Sequence, residues 1–86
     1  MIIIEYSPEF RRLFRKLPNS LKVKAIEKEK IFRNNIFDPK LKTHKLSGKL
    51  AGRLAFWIDY NYRIIFSKAS SKLIYFHSIG DHDIYK

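Results

Sequence analysis

RLAFWIDYNYRIIFSKASSKLIYFHSI, residues 53–79, decides the fold. It holds three apolar runs rich in β-branched and aromatic residues: RLAFWID at 53–59, YRIIFS at 62–67 and KLIYFHSI at 72–79. A short Tyr60-Asn61 turn separates the first two, and a polar KASS turn leads into the third. Runs of this length and spacing read as the strands of an antiparallel meander. Phe56 and Trp57 are neighbours, so in a strand they point to opposite faces, one into the core and one outward.

The residues before this stretch read differently. IIIEY at 2–6 is a short β-branched run, a strand. In SPEFRRLFRKLP, Ser7 can cap a helix, Pro8 fits its first position and Glu9 suits its first turn. Phe10, Leu13, Phe14 and Leu17 share one helical face, and Pro18 ends the helix. Asn19 or Ser20 can cap a second helix running to about Ile36, with Leu21, Ala25, Phe32 and Ile36 on its apolar face. Asp38-Pro39 closes it. KLKTHKLSGKLAG at 40–52 is the least regular segment. The expected fold is α+β, in one small domain over residues 1–86. Its order is β-α-α-β-β-β, with an antiparallel sheet and a helical hairpin packed on one face.

The charge balance points to a polyanion. The chain has 86 residues, 18 of them basic and 8 acidic, for a net charge of +10. Residues 1–39 carry nine basic and five acidic residues, a net of +4; residues 40–86 carry nine and three, a net of +6. No acid lies between Asp38 and Asp59, where Lys40, Lys42, Lys45, Lys49 and Arg53 stand with His44. Uninterrupted charge of one sign attracts nucleic acid, an anionic surface or an acidic protein. Cysteine is absent, which excludes disulfides, thiolate metal sites and cysteine nucleophiles. No long apolar run is present, so a soluble cytoplasmic protein without membrane contact is expected.

Chemistry-bearing residues cluster in HSIGDHDIYK at 77–86. His82 can exchange a proton near neutrality, and Asp81 or Asp83 can hold its second ring nitrogen. It also reads as a surface histidine in a turn. His77, Asp81, His82 and Asp83 match no established metal-ligand spacing. Arg63, at the start of a strand, suits a phosphate or simply a soluble edge. His44 reads as a second acid–base group or a phosphate contact. Tyr85 can stack on a base or anchor the last strand.

Three segments, HKL-x-G at 44–48, YRIIF at 62–66 and IGDHDIY at 79–85, together resemble the RelE/ParE superfamily of bacterial type II toxins. Within it they are most similar to the RelE/YafQ-type mRNA interferases. The resemblance spans the chain in length, charge and element order. It implies a toxin that cuts mRNA in the ribosomal A site without a metal or cofactor. There the ribose 2′-hydroxyl attacks the adjacent phosphate. On that pattern the catalytic residues are His82 as general acid or base, His44, Arg63 at the phosphate and Tyr85 against the nucleotide. Lys42, Lys45, Lys49 and Arg53 would bind RNA. Two positions that are lysines in the RelE pattern read Leu54 and Phe56 here, and Trp57 and Asn61 stand where YafQ-like proteins carry a histidine and an aspartate. Asp59 lies close enough to serve instead. The implied partners are the ribosome, its mRNA and an antitoxin encoded nearby, through which operator DNA would be bound. A ParE-like inhibitor of gyrase, acting without catalysis, and a catalytically silent nucleic-acid binder share the same fold and remain as alternatives.

Overall fold

The computed structural model describes residues 1–81. Strand β1 (Ile3–Tyr6) leads into helix α1 (Pro8–Arg15) and helix α2 (Asn19–Asn34). A 3₁₀ turn at Pro39–Leu41, the two-residue strand β2 (His44–Lys45) and a second 3₁₀ turn at Gly48–Leu50 follow. The last described elements are β3 (Leu54–Trp57), β4 (Arg63–Lys68) and β5 (Leu73–Gly80). The sheet order is β1-β5-β4-β3-β2.

Local chemistry fixes the helix ends. Ser7 Oγ accepts from Phe10 N at 2.9 Å, with Pro8 in the first turn. The expected cap of α2 by Asn19 or Ser20 is not made. Asn19 is already helical, and the Pro18 carbonyl takes the N–H groups of Leu21 and Lys22. Helix α2 stops at Asn34 rather than near Ile36. Asn35 is extended there, and its side chain accepts from Phe37 N at 3.0 Å, closing a local turn.

The meander β3-β4-β5 is antiparallel, as is the β2–β3 pair. The expectation of a wholly antiparallel sheet needs one correction. Strand β1 pairs with β5 in parallel, Ile3 opposite Leu73 through Tyr6 opposite Phe76. The two helices carry the chain across one face to β2 at the far edge, and the strands from β2 to β5 bring it back beside β1, which makes the sheet mixed.

One sheet face is dry. Ile4, Phe56, Ile58, Ile64, Phe66, Ile74, Phe76 and Ile79 meet Phe10, Ala25 and Phe32 of the helices and Leu41 of the first 3₁₀ turn. Phe32 is fully buried. Its ring stacks on Phe56 at 4.8 Å and meets Phe66 and Phe76 edge-on at 4.9 and 5.3 Å. Leu13, Phe14, Leu17 and Ile36 border this cluster, so the apolar face read for α1 packs, and of the face read for α2 Ala25, Phe32 and Ile36 pack. Phe56 is core and Trp57 is half-exposed on the other side.

Candidate nucleic-acid interface on the open sheet face

Strand alternation assigns the face that the helices leave uncovered. Trp57, Arg63 and Gly80 lie opposite one another in one row. His44, Ala55, Ile65 and Ser78 form the next. Ser67, Tyr75 and Glu5 form a third, with Arg53 preceding β3 at the same level. A bulge separates the last two rows. Ile65 pairs with Ser78 but Phe66 pairs with Phe76, so His77 is the extra residue in β5. That slip keeps both His77 and Ser78 on the open side and returns Ile79 to the core.

Arg63 stands at one end of this face. It is 4% exposed, and its Nη1 donates to the carbonyls of Asp59, Tyr60 and Tyr62 at 3.1, 2.8 and 3.3 Å. Its guanidinium lies over the Trp57 ring at 4.2 Å, and Lys42 Nζ approaches the same ring at 5.4 Å. The arginine therefore ties the β3–β4 turn while leaving its charge beside an indole that a second cation also faces. The turn is braced further by Asp59 Oδ1, which accepts from Asn61 N and Tyr62 N at 2.9 and 2.8 Å. Asp59 Oδ2 faces Lys24 of α2 at 3.8 Å. Both oxygens of Asp59 are thus engaged away from the open face, where it was expected to stand in for a missing acid.

His44 is exposed on β2. Its Nδ1 lies 2.9 Å from the Lys42 carbonyl, an oxygen that can only accept. The hydrogen therefore sits on Nδ1, and in the neutral ring Nε2 carries the lone pair, the arrangement a general base needs. Lys42 adopts the left-handed backbone at φ 51°, which turns the chain into β2. Gly48 of the HKL-x-G segment, at φ 65°, turns it out again, a conformation glycine adopts without strain.

Of the candidate residues, Arg63 and Lys42 meet at the Trp57 ring, His44 stands in the next row of this face, and Arg53 lies one row further. Lys45 pairs with Leu54 and so leans towards the helix side of the sheet edge. Lys49 is exposed on the 3₁₀ turn. His82 and Tyr85 lie outside the described residues. Leu54 and Phe56, aligned with the RelE lysines, sit on the helix side of β3, and Phe56 is fully buried. The other side of that strand carries Ala55, which is fully buried, and the half-exposed Trp57, with the exposed Arg53 before them.

His77 and Ser67 were not singled out as a pair in the sequence. Ser67 Oγ lies 2.7 Å from His77 Nε2, and the Tyr75 and His77 rings are 6.4 Å apart. Burial lowers the His77 pKa, and the nearby Arg53 charge lowers it further against a weaker opposite pull from Glu9. Ten residues separate the two partners, and only the bulge aims His77 at Ser67, so no local signal announces the contact. Among the described residues, no group of three or more acidic, histidine or cysteine side chains is placed to hold a metal. No helix of the described residues is long and apolar enough to cross a membrane.

No family model matches the chain, and no curated protein matches it in sequence. Solved structures do match in fold. YafQ from E. coli superposes with a TM-score of 0.80 at 19% identity, over 98% of this chain and 97% of that one. The YoeB/ParE toxin from Agrobacterium tumefaciens gives 0.77 at 14% identity, over 95% and 99%. A chain of the YoeB-YefM complex from Staphylococcus aureus gives 0.72 at 22% identity, over 95% and 98%. The sheet order and the helical pair described above are therefore a fold that this chain shares with the YafQ and YoeB toxin structures.

Proposed function

We propose that the protein is the toxin of a type II toxin–antitoxin system and an endoribonuclease that cuts mRNA in the ribosomal A site. The observation that carries this reading is the open sheet face. It gathers His44, with Nε2 available as a base, and the cations Lys42, Arg53 and Arg63 on a fold shared with YafQ.

In this reading His44 Nε2 takes the proton of the ribose 2′-hydroxyl. The 2′-oxygen then attacks the adjacent phosphorus, and the bond to the 5′-oxygen of the next nucleotide breaks. His82 returns a proton to that leaving oxygen. The products are a 2′,3′-cyclic phosphate and a 5′-hydroxyl, so no metal or co-reactant enters the balance. The Arg63 charge offsets negative charge that builds on the phosphate. Lys42, Lys45, Lys49 and Arg53 attract the RNA backbone, and Tyr85 stacks on the nucleotide.

The partner that restrains such a toxin is an acidic antitoxin. Two features support it: the +10 charge, and the apolar cleft between the helices, lined by Phe10, Phe14 and Ile26 and edged by Arg11 and Arg15. Operator DNA would be reached through that antitoxin.

The test is primer extension on mRNA held in programmed ribosomes, with free RNA as control. Wild type should cut only with ribosomes, and His44→Ala and His82→Ala should abolish the cuts. Intact, folded wild type that leaves the message whole would sink the reading. Ala55, at the centre of the open side of β3, supplies no cation, and this favours a catalytically silent binder as the second reading. A gyrase inhibitor acting like ParE would instead arrest growth with DNA damage and without cuts.

A further inference from the structure

We propose that Tyr75, His77, Ser67 and Arg53 form a second nucleotide-binding subsite on the open sheet face, which takes a nucleobase of single-stranded RNA. Its place beside a cleaved bond rests on the function proposed above; the binding of a base does not.

Tyr75 is 37% exposed although β5 is an inner strand, flanked by β1 and β4. An aromatic ring that meets water in the middle of a sheet is a platform on which an unpaired base can stack. His77 lies beside it at a ring distance of 6.4 Å. The bulge in β5 sets that position, and such irregularities re-aim side chains at sites. Ser67, hydrogen-bonded to His77 Nε2 at 2.7 Å, fixes the ring orientation. Tyr75 and His77 line a cleft together with Glu5, Tyr6, Ser7 and Pro8.

Charge gives the subsite a direction. Arg53 is close enough to act on His77, and it offers a cation to a phosphate. Glu5, opposite Tyr75 on β1, repels a phosphate and accepts a hydrogen bond from a base edge. A nucleotide therefore lies with its phosphate towards β3 and its base towards β1. Ser67 is four residues from Arg63 along β4, about 13 Å at strand rise. That separation makes this a different nucleotide from one held at Arg63.

The experiment measures binding of a short labelled single-stranded RNA by fluorescence anisotropy at about 150 mM salt, where loose charge attraction is screened. The probes are the RNA and the same backbone made abasic. Wild type should prefer the RNA over the abasic strand. Tyr75→Ala should weaken RNA binding about ten-fold, and leave the abasic strand unaffected. Tyr75→Phe should bind as wild type does. Because Tyr75 is half-exposed, thermal unfolding will show whether Tyr75→Ala keeps the fold. Equal binding of the two probes by wild type, or unchanged RNA affinity in folded Tyr75→Ala, overturns the subsite. A wild type that binds in this Tyr75-dependent way yet cuts nothing on ribosomes upholds the subsite and overturns the cleavage reading instead.

Discussion

The Arg63 guanidinium lies over the Trp57 ring at 4.2 Å, across the β3–β4 pair where these two residues face each other. One buried cation thus does two things at once. It is held against an aromatic face, and its Nη1 reaches three carbonyls of the Asp59–Tyr62 turn. A lysine has neither the planar group nor the fork of donors to repeat this. Hydrogen bonds to charged groups are worth about 1.5–3 kcal/mol each when removal leaves a buried partner unsatisfied. Arg63→Lys should therefore destabilise the fold by at least about 1.5 kcal/mol, read as a lower urea midpoint at unchanged slope. An unshifted midpoint would show that the turn holds itself without the arginine.

His44 gives the opposite expectation. It is exposed on a two-residue edge strand, so its removal should barely move the unfolding midpoint. General base catalysis contributes about 10²–10⁴-fold. His44→Ala should lower the rate of ribosome-dependent cleavage by that order, with stability within about 0.5 kcal/mol of wild type. Cleavage at the wild-type rate would remove His44 from the chemistry and leave it as a surface contact.

Much of the scaffold was legible in the sequence because its signals are local. Ser7-Pro8 announced the start of α1, the spacing of Phe10, Leu13, Phe14 and Leu17 its buried face, and Tyr60-Asn61 the hairpin. The partner of β1 was not legible. Ile2 to Tyr6 read as a strand, but nothing in those residues says that the neighbour is β5, about seventy positions on and parallel. Strand β2 escaped notice because two residues carry no periodicity. At the site, His44 and Arg63 could be named from their types and surroundings. The facing of Lys45, and the meeting of His77 with Ser67, depend on register and on one bulge, which alternation alone does not foretell.

The core offers a test of packing. Phe32 is the one helix residue whose ring touches Phe56, Phe66 and Phe76, one from each strand of the meander. Removing it deletes the aromatic contacts that α2 makes with the sheet. Phe→Ala changes at buried sites cost about 3–5 kcal/mol, against a total stability of about 5–15 kcal/mol for domains in general. Phe32→Ala should leave the protein largely unfolded or close to it by circular dichroism at 37 °C. Phe32→Leu, which keeps most of the volume, should fold with a lower midpoint. Native-like stability of the alanine variant would mean that the helices are held by other contacts.

His77 makes stability depend on pH in a direction that can be stated. Its pKa in the folded protein is lowered from the ordinary 6.5, by burial first and by Arg53 second, while Glu9 pulls the other way. The unfolded chain therefore binds a proton at His77 more readily than the folded one. Where only the unfolded state is protonated, stability rises with pH. The contribution of the neutral ring is fully present above pH 6.5. It is lost as pH falls through the lower folded value, because burial opposes charging the ring and Arg53 repels the charge. His77→Gln keeps a hydrogen-bonding group within reach of Ser67 but cannot titrate. Thermal unfolding of both proteins between pH 7.5 and pH 5 isolates the effect, since His44 and His82 are common to the two. Wild type should lose more midpoint temperature across that window than His77→Gln. Parallel losses would mean that His77 is as easily protonated in the folded protein as in the unfolded chain.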